Sequence, residues 1–348
     1  MSTEHPRPSE SFDEAYRVLT GSEPPPLYGD HLKQYWPHRV AELCELHEPP
    51  LEQGMKERHE IYLILLMAIV FAYWNGLKNG RRATYPWNDA LNPDDPNYER
   101  LAGDYLGHNI AALAVDRSGR VLDFEFNHNN LFNSSAEHAE ARLVHRLYSL
   151  AQLSESWSGT VATSEVQSIS PPKHGTNLQG VTIYTSLESC AQCSGVMALA
   201  QVTEVVYLQT DPGMYFIGRI LRNLTESYMR SPRPVSGGEI GISYFDQLNR
   251  GFETFWNGVA TTPFSVMPDG TADHSQSVTS FLCTADARAI YASGADDFDQ
   301  LTRGAKPLAF PDYRPMDGTM RNSDLLPEVN EFLDYAVTDG RRGTPHTI

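Results

Sequence analysis

The chain has 348 residues, 41% of them hydrophobic, and a formal net charge of −17 at pH 7. That length allows one large domain or two smaller ones around a sizeable core. So acidic a balance argues against broad binding to nucleic acid or anionic membranes, because both demand clustered cations.

Residues 1–54 are polar and proline-rich, with Pro24-Pro25-Pro26 and Pro49-Pro50 as breaks. They read as an arm packed on a main body, with a short helix over 39–47. Residues 1–10 lack the pattern of a signal peptide, so the cytoplasm is the expected address. Residues 55–80 predict a helix that is apolar on nearly every side and closed by Asn79-Gly80. Its run Ile61–Trp74 has fourteen apolar residues. That is short of the roughly 20 a bilayer needs, so a buried helix is expected and no membrane segment. A loop with three prolines follows over 83–97.

Ile110–Val115 reads as a buried strand. Asp116-Arg117-Ser118-Gly119-Arg120 is a turn, and Val121–Phe126 is the returning strand. After a polar loop, Ser134 and Glu137 make a capping-box pattern that opens a helix over 136–153, with Leu143, Leu147 and Leu150 on its apolar face. Residues 154–180 read as a linker. Then come a strand at 181–184, a helix at 194–202, a strand at 205–208 and a turn at Asp211-Pro212-Gly213. This alternation implies parallel pairing with helices on both faces of a sheet. Downstream, 217–229 predicts a helix and the Pro/Gly-rich stretch 231–241 a linker or loop. Residues 277–291 and 325–336 predict further helices. Tyr244, Phe245, Phe252, Phe255 and Trp256 fit either a core or the wall of a pocket.

Chemistry concentrates at Cys190 and Cys193. With only four cysteines, a disulfide scaffold is not expected. Residues i and i+3 share a helical face, and the N–H groups and dipole at a helix start favour thiolates. Alone, the pair fits a redox couple, half a structural zinc site or two small buried hydrophobes. His138-Ala139-Glu140 upstream changes the reading. One His and two Cys are three ligands of a zinc tetrahedron, which leaves a fourth position for water. Zinc lowers the pKa of such a water to about 7. A neighbouring carboxylate can then carry the proton, and Glu140 is the acid beside the histidine. Residues i and i+2 point apart on a helix, so the pairing requires His138 at the very start of its helix. Cys44 is isolated. Cys283 as a fourth ligand would close the site to water and is not expected to be one. His108, His128 and His145 read as ordinary surface or core histidines.

The His-x-Glu and Cys-x-x-Cys motifs resemble those of the zinc-dependent cytidine/deoxycytidylate deaminase superfamily, and within it the tRNA-adenosine/guanine deaminase-like branch. The resemblance extends over residues 55–225. It includes the hairpin 111–126 before the histidine helix, Asn127, Glu188, and Ser194-Gly195-Val196-Met197 after the cysteines. It implies an α/β, three-layer α/β/α fold with a mixed five-stranded sheet. An N-terminal arm would span 1–54, a zinc deaminase domain 55–230, and a C-terminal extension packed on it 231–348. It also implies zinc on His138, Cys190 and Cys193, Glu140 as the catalytic proton shuttle, Asn127 as a substrate contact, and a homodimer.

One position departs from the family: Ser189 stands where its members carry proline. A serine can cap the following helix through its hydroxyl, so the metal site is expected to survive. Gln192, between the cysteines, has no role legible in the sequence. The expected activity is hydrolytic deamination of a small aminated heterocycle, a nucleobase or nucleoside, to the carbonyl product and ammonia. Nucleic acid is not expected as a partner. An RNA adenosine deaminase would need a basic groove near His138. A non-catalytic partner subunit is disfavoured because the Glu often lost in such partners is present here.

Overall fold

The computed structural model describes residues 12–22, 39–74, 108–129, 132, 134–153, 177–225, 231–261, 265–266, 270, 272–274 and 276–338. The predicted loop at 83–97, the Asn79-Gly80 helix stop, most of the 154–180 linker and the side chain of Leu150 lie outside the described residues. Five strands make the main sheet: β1 (Ala111–Val115), β2 (Val121–Phe126), β3 (Thr182–Thr185), β4 (Glu204–Tyr207) and β5 (Arg233–Ser236), in the order β2-β1-β3-β4-β5. β1 is antiparallel to both β2 and β3, whereas β3–β4 and β4–β5 are parallel. The longer helices are α1 (Phe12–Thr20), α2 (Gln53–Ala72), α3 (Ala139–Leu153), α4 (Ala191–Leu199), α5 (Ile217–Leu224), α6 (Ser243–Val259), α7 (Ala285–Thr302) and α8 (Asn322–Thr338).

The pleat sorts side chains onto two faces. Leu113 lies in register with Phe124 and Tyr184, and this face meets α2 and α8. There Tyr184 packs on Tyr62 with ring centres 4.9 Å apart, and Phe124 meets Phe332 edge-on at 5.9 Å. The opposite face carries Asp123, Glu125 and Thr185, all turned to α3: Asp123 and Glu125 pair with Arg146 and Arg142, and Thr185 reaches Glu140. Helices therefore cover both faces of a mixed five-stranded sheet, the three-layer architecture expected from the sequence.

From Ile61 onward α2 is apolar all round because it is enclosed there, with the sheet, α7 and α8 all packed on it. Every residue from Ile61 to Val70 is buried. α7 approaches so closely that a Cβ on Gly294 would collide with Met67. No helix among the described residues is long and apolar enough to cross a membrane.

The structure corrects several boundaries. The helix expected over 39–47 is a single turn at Val40–Leu43. α3 starts at Ala139, not at 136, and α4 starts at Ala191, three residues before the predicted 194. The helix expected over 277–291 is two, Val278–Phe281 and α7. Ser277 and Thr284 cap them through side chains that accept the N–H of Ser280 and Ala287.

The stretch 231–241, read as a linker or loop, contains β5, which draws the fifth strand from beyond residue 230. Two prolines hid it. Among the described residues β5 pairs only with β4, and Arg233 N–H bonds Thr203 O at 3.1 Å. By alternation the nitrogen of Pro234 faces the open edge, where a missing N–H costs no ladder bond.

The aromatic cluster of α6 is core except for Trp256, which is exposed. Tyr244 and Phe252 are buried, and Phe252 and Phe255 both pack on Phe281, each with ring centres 6.0 Å apart.

Candidate metal centre and active site

Two helix starts, held against each other, build the site. His138 is the last residue before α3, as the i, i+2 argument requires. The start is set by Asn127, whose Oδ1 accepts the Ala139 N–H at 2.7 Å, and not by the Ser134 box. Ser134 Oγ accepts the Ala136 N–H, and the Glu137 carboxylate turns to Arg142. Opposite, Cys190 is the N-cap of α4: its sulfur accepts the Cys193 N–H at 3.5 Å. Cys190, and not Ser189, therefore holds that helix start. Gln192, unassigned from the sequence, ties the two starts together by donating to Ala136 O at 2.9 Å.

This juxtaposition brings His138, Cys190 and Cys193 into one cluster. His138 Nδ1 lies 3.3 Å from Cys190 Sγ and 3.7 Å from Cys193 Sγ, and the sulfurs are 3.5 Å apart. Tetrahedral zinc with ordinary Zn–N and Zn–S lengths spaces its donors by about 3.5 to 3.8 Å. The donor set and its spacing fit zinc. The hydrogen bond to Cys190 raises the His138 pKa. Bonds from Cys193 and His138 hold the Cys190 thiol below the usual cysteine range.

Glu140 sits on the first turn of α3 and is buried, which raises its pKa. Its Oε2 lies 3.3 Å from Cys193 Sγ, on the cluster side. Its Oε1 lies 3.0 Å from Ser189 Oγ and 3.3 Å from Thr185 Oγ1. The sequence marked Ser189 only as a departure and Thr185 not at all. β3 alternation places Thr185 on the α3 face, and that was the available signal.

The next layer is formed by Glu188 and the turn after β4. Glu188 Oε2 accepts the Asp211 N–H at 3.2 Å, and burial pushes its pKa up to about 7. Asp211 is close enough to feel the charges of Cys190 and His138, and burial raises its pKa. Its Oδ1 accepts the Gly213 N–H at 2.9 Å and shapes the turn. Tyr215 and Phe216 follow, both left-handed, with φ of 51° and 56°. Two consecutive non-glycine residues in that region store backbone strain. A cavity of about 500 Å³ opens here, bounded by Glu188, Asp211, Tyr215 and Phe216 and by Val40 and Cys44 of the arm.

Cys283 lies apart from the cluster, donating to Thr279 O at 3.3 Å. His128 is buried 3.9 Å from Glu125, and His145 is exposed.

Residues 97–209 match the family model described as the cytidine and deoxycytidylate deaminase zinc-binding region. No curated protein sequence matches the chain. Three solved structures are similar at low identity. A tRNA:A34 deaminase acting at the wobble position is 20% identical over 37% of this chain and 82% of its own, with a TM-score of 0.26. A guanine deaminase from Nitrosomonas europaea is 20% identical over 38% of this chain and 66% of its own, at 0.27. A diaminohydroxyphosphoribosylaminopyrimidine deaminase/5-amino-6-(5-phosphoribosylamino)uracil reductase from Thermotoga maritima is 15% identical over 59% of this chain and 43% of its own, at 0.31. The region that matches the family model contains both motifs and every residue of the cluster.

Proposed function

We propose that the protein is a zinc-dependent hydrolytic deaminase that replaces the exocyclic amine of a small heterocycle by a carbonyl and releases ammonia. One observation carries the reading: a buried carboxylate, Glu140, presents one oxygen to a His/Cys/Cys cluster of zinc dimensions. His138, Cys190 and Cys193 hold the metal. Zinc, when bound, supplies a Lewis acid that activates water near neutral pH. Glu140 Oε2 takes the proton released as water adds to the amine-bearing carbon. It passes that proton to the ring nitrogen and then carries the proton of the newly added hydroxyl to the amine, which leaves as ammonia as the carbonyl forms. Asn127 holds the start of α3 through Oδ1, and its amide N–H groups orient the ring.

A small molecule suits the site better than RNA. Arg142, Arg146 and Arg219, on the helices beside the site, are engaged by Glu125 and Glu137, by Asp123 and Glu125, and by Tyr207 and Phe216. No groove of free cations forms from them. A non-catalytic subunit would not need Glu140 buried and held. A homodimer is part of the proposal, and sedimentation velocity of the purified chain tests it.

The activity test is ammonia release from cytosine, adenine, guanine, their nucleosides and other aminated metabolites, comparing native protein with Glu140→Gln. Native protein is expected to turn over at least one of them. Glu140→Gln should lose at least about 100-fold in kcat while keeping its zinc. Full turnover by Glu140→Gln on that substrate would sink the assignment of the proton carrier.

A further inference from the structure

The two oxygens of Glu140 are not equivalent. Oε2 faces the cluster, while Oε1 faces two hydroxyls. The terminal torsion of a glutamate is broad and nearly two-fold, so a carboxylate with nothing on its far oxygen can exchange the two by rotation. Proton transfer, in contrast, needs a hydrogen bond of about 2.6 to 3.2 Å to the reacting atom. Something has to hold Oε1 if Oε2 is to stay in place.

Thr185 is the weaker holder. Its Oγ1 also lies 3.1 Å from Leu187 O, so the Glu140 oxygen at 3.3 Å has to compete for its single hydroxyl hydrogen. Ser189 has no such competitor. Among the described residues Glu140 Oε1, at 3.0 Å, is the one partner of the Ser189 hydroxyl, and Ser189 is 5% exposed. Its backbone is held as well, because Ser194 Oγ donates to Ser189 O at 3.4 Å. Helix capping does not occupy this serine, since Cys190 supplies the cap.

We infer that Ser189 is a positioning residue for the proposed proton carrier: its hydroxyl pins Oε1 of Glu140, so that Oε2 is the oxygen presented to the reacting proton. The inference rests on the proposed role of Glu140. The serine at this position then has a task that proline, which has no hydroxyl, could not perform.

The test uses the full chain with Ser189→Ala, Ser189→Pro and Ser189→Thr. The carboxyl stretch of Glu140 is identified by infrared difference spectroscopy as the band lost in Glu140→Gln. Zinc content is measured in parallel by atomic absorption. In Ser189→Ala and Ser189→Pro the Glu140 band is expected to shift, in zinc-free and zinc-loaded protein alike, with zinc stoichiometry at the native value. In Ser189→Ala kcat for ammonia release should fall about fivefold with KM unchanged. That fold-change equals about 1 kcal/mol at 1.36 kcal/mol per decade, the size of one hydrogen bond. Ser189→Thr, which keeps the hydroxyl, should restore both the band and kcat.

A band unmoved in Ser189→Ala overturns the inference. So does a kcat loss that merely follows lost zinc, or one that Ser189→Thr fails to rescue. The band separates this inference from the reading beneath it. A shifted band in a protein that deaminates nothing leaves the contact standing and defeats the deaminase. Turnover with an unmoved band does the reverse.

Discussion

At the scale of single residues, the site depends on side chains that do two things at once. Cys190 belongs to the cluster proposed to hold zinc and is also the N-cap of α4, accepting the Cys193 N–H. Cys190→Ala should therefore abolish stoichiometric zinc binding and also cost about 1 kcal/mol as a lost cap. Metal analysis reads the first effect, and urea unfolding of the zinc-free protein reads the second. Unchanged metal content would remove the cluster assignment. Asn127 is similar: it caps α3 at the residue after His138. Asn127→Ala should lower stability by about 1 kcal/mol. It should also weaken zinc retention against a chelator, because the ligand beside the cap loses its anchor. A variant that loses stability but holds zinc as tightly as native protein would show that the cap does not orient His138.

At the scale of elements, the α3 face of the sheet is tied down by charge. Asp123 and Glu125, alternate residues of β2, meet Arg146 and Arg142, which are four apart on α3. Both acids are buried. Arg146→Met leaves Asp123 without its main cation in a site of low dielectric. Breaking a buried pair from one side costs about 3 to 5 kcal/mol. A loss below 1 kcal/mol in urea unfolding would show that Arg142 or solvent takes over.

The β1–β2 turn makes a second test at this scale. Asp116 Oδ1 accepts the N–H groups of Ser118, Gly119 and Arg120, and Gly119 has φ of +105°. A Cβ there would also meet the guanidinium of Arg58. Arg58 itself donates to Met320 O at 2.9 Å and so ties the turn to the segment before α8. Gly119→Ala should cost about 2 kcal/mol or more, from the left-handed backbone and the displaced arginine together. A melting temperature equal to native would contradict the close approach.

At the scale of the whole molecule, a half-buried acid on the α2 face of the sheet sets a pH dependence. Glu204, at the start of β4, lies 3.4 Å from His59 of α2. Burial pushes Glu204 up to about 7 and His59 down to about 3, with Arg233, Glu239, Arg222 and Glu48 also around Glu204. An acid whose folded pKa is raised binds more protons folded than unfolded between the two values. Its contribution is thus complete below the unfolded pKa of about 4.5 and is lost as pH climbs through about 7. Glu204→Gln removes that slope. Between pH 5 and pH 8 the native protein should lose on the order of 2 kcal/mol relative to Glu204→Gln. The comparison uses zinc-free protein, because metal binding has a pH dependence of its own. Parallel stability curves for the two proteins would show that Glu204 ionises normally in the fold.

The sequence by itself determined which His and Cys residues cluster, the acid beside them, the hairpin and the enclosed helix. Those signals are local: two short motifs, a turn with its aspartate and glycine, and a run of apolar residues too short for a bilayer. Residue spacing even demanded that His138 precede its helix. Tertiary structure decided what depends on a partner distant in the chain. The start of α3 is set by Asn127, twelve residues upstream of the N–H it accepts, and not by the nearer Ser134. β5 forms despite its prolines because it lies at an edge, and no local pattern reveals an edge. Ser189 stands beside Glu140 across 49 positions of sequence. Sequence could show that this serine was out of pattern; only the packing of α3 on β3 shows which carboxylate its hydroxyl meets.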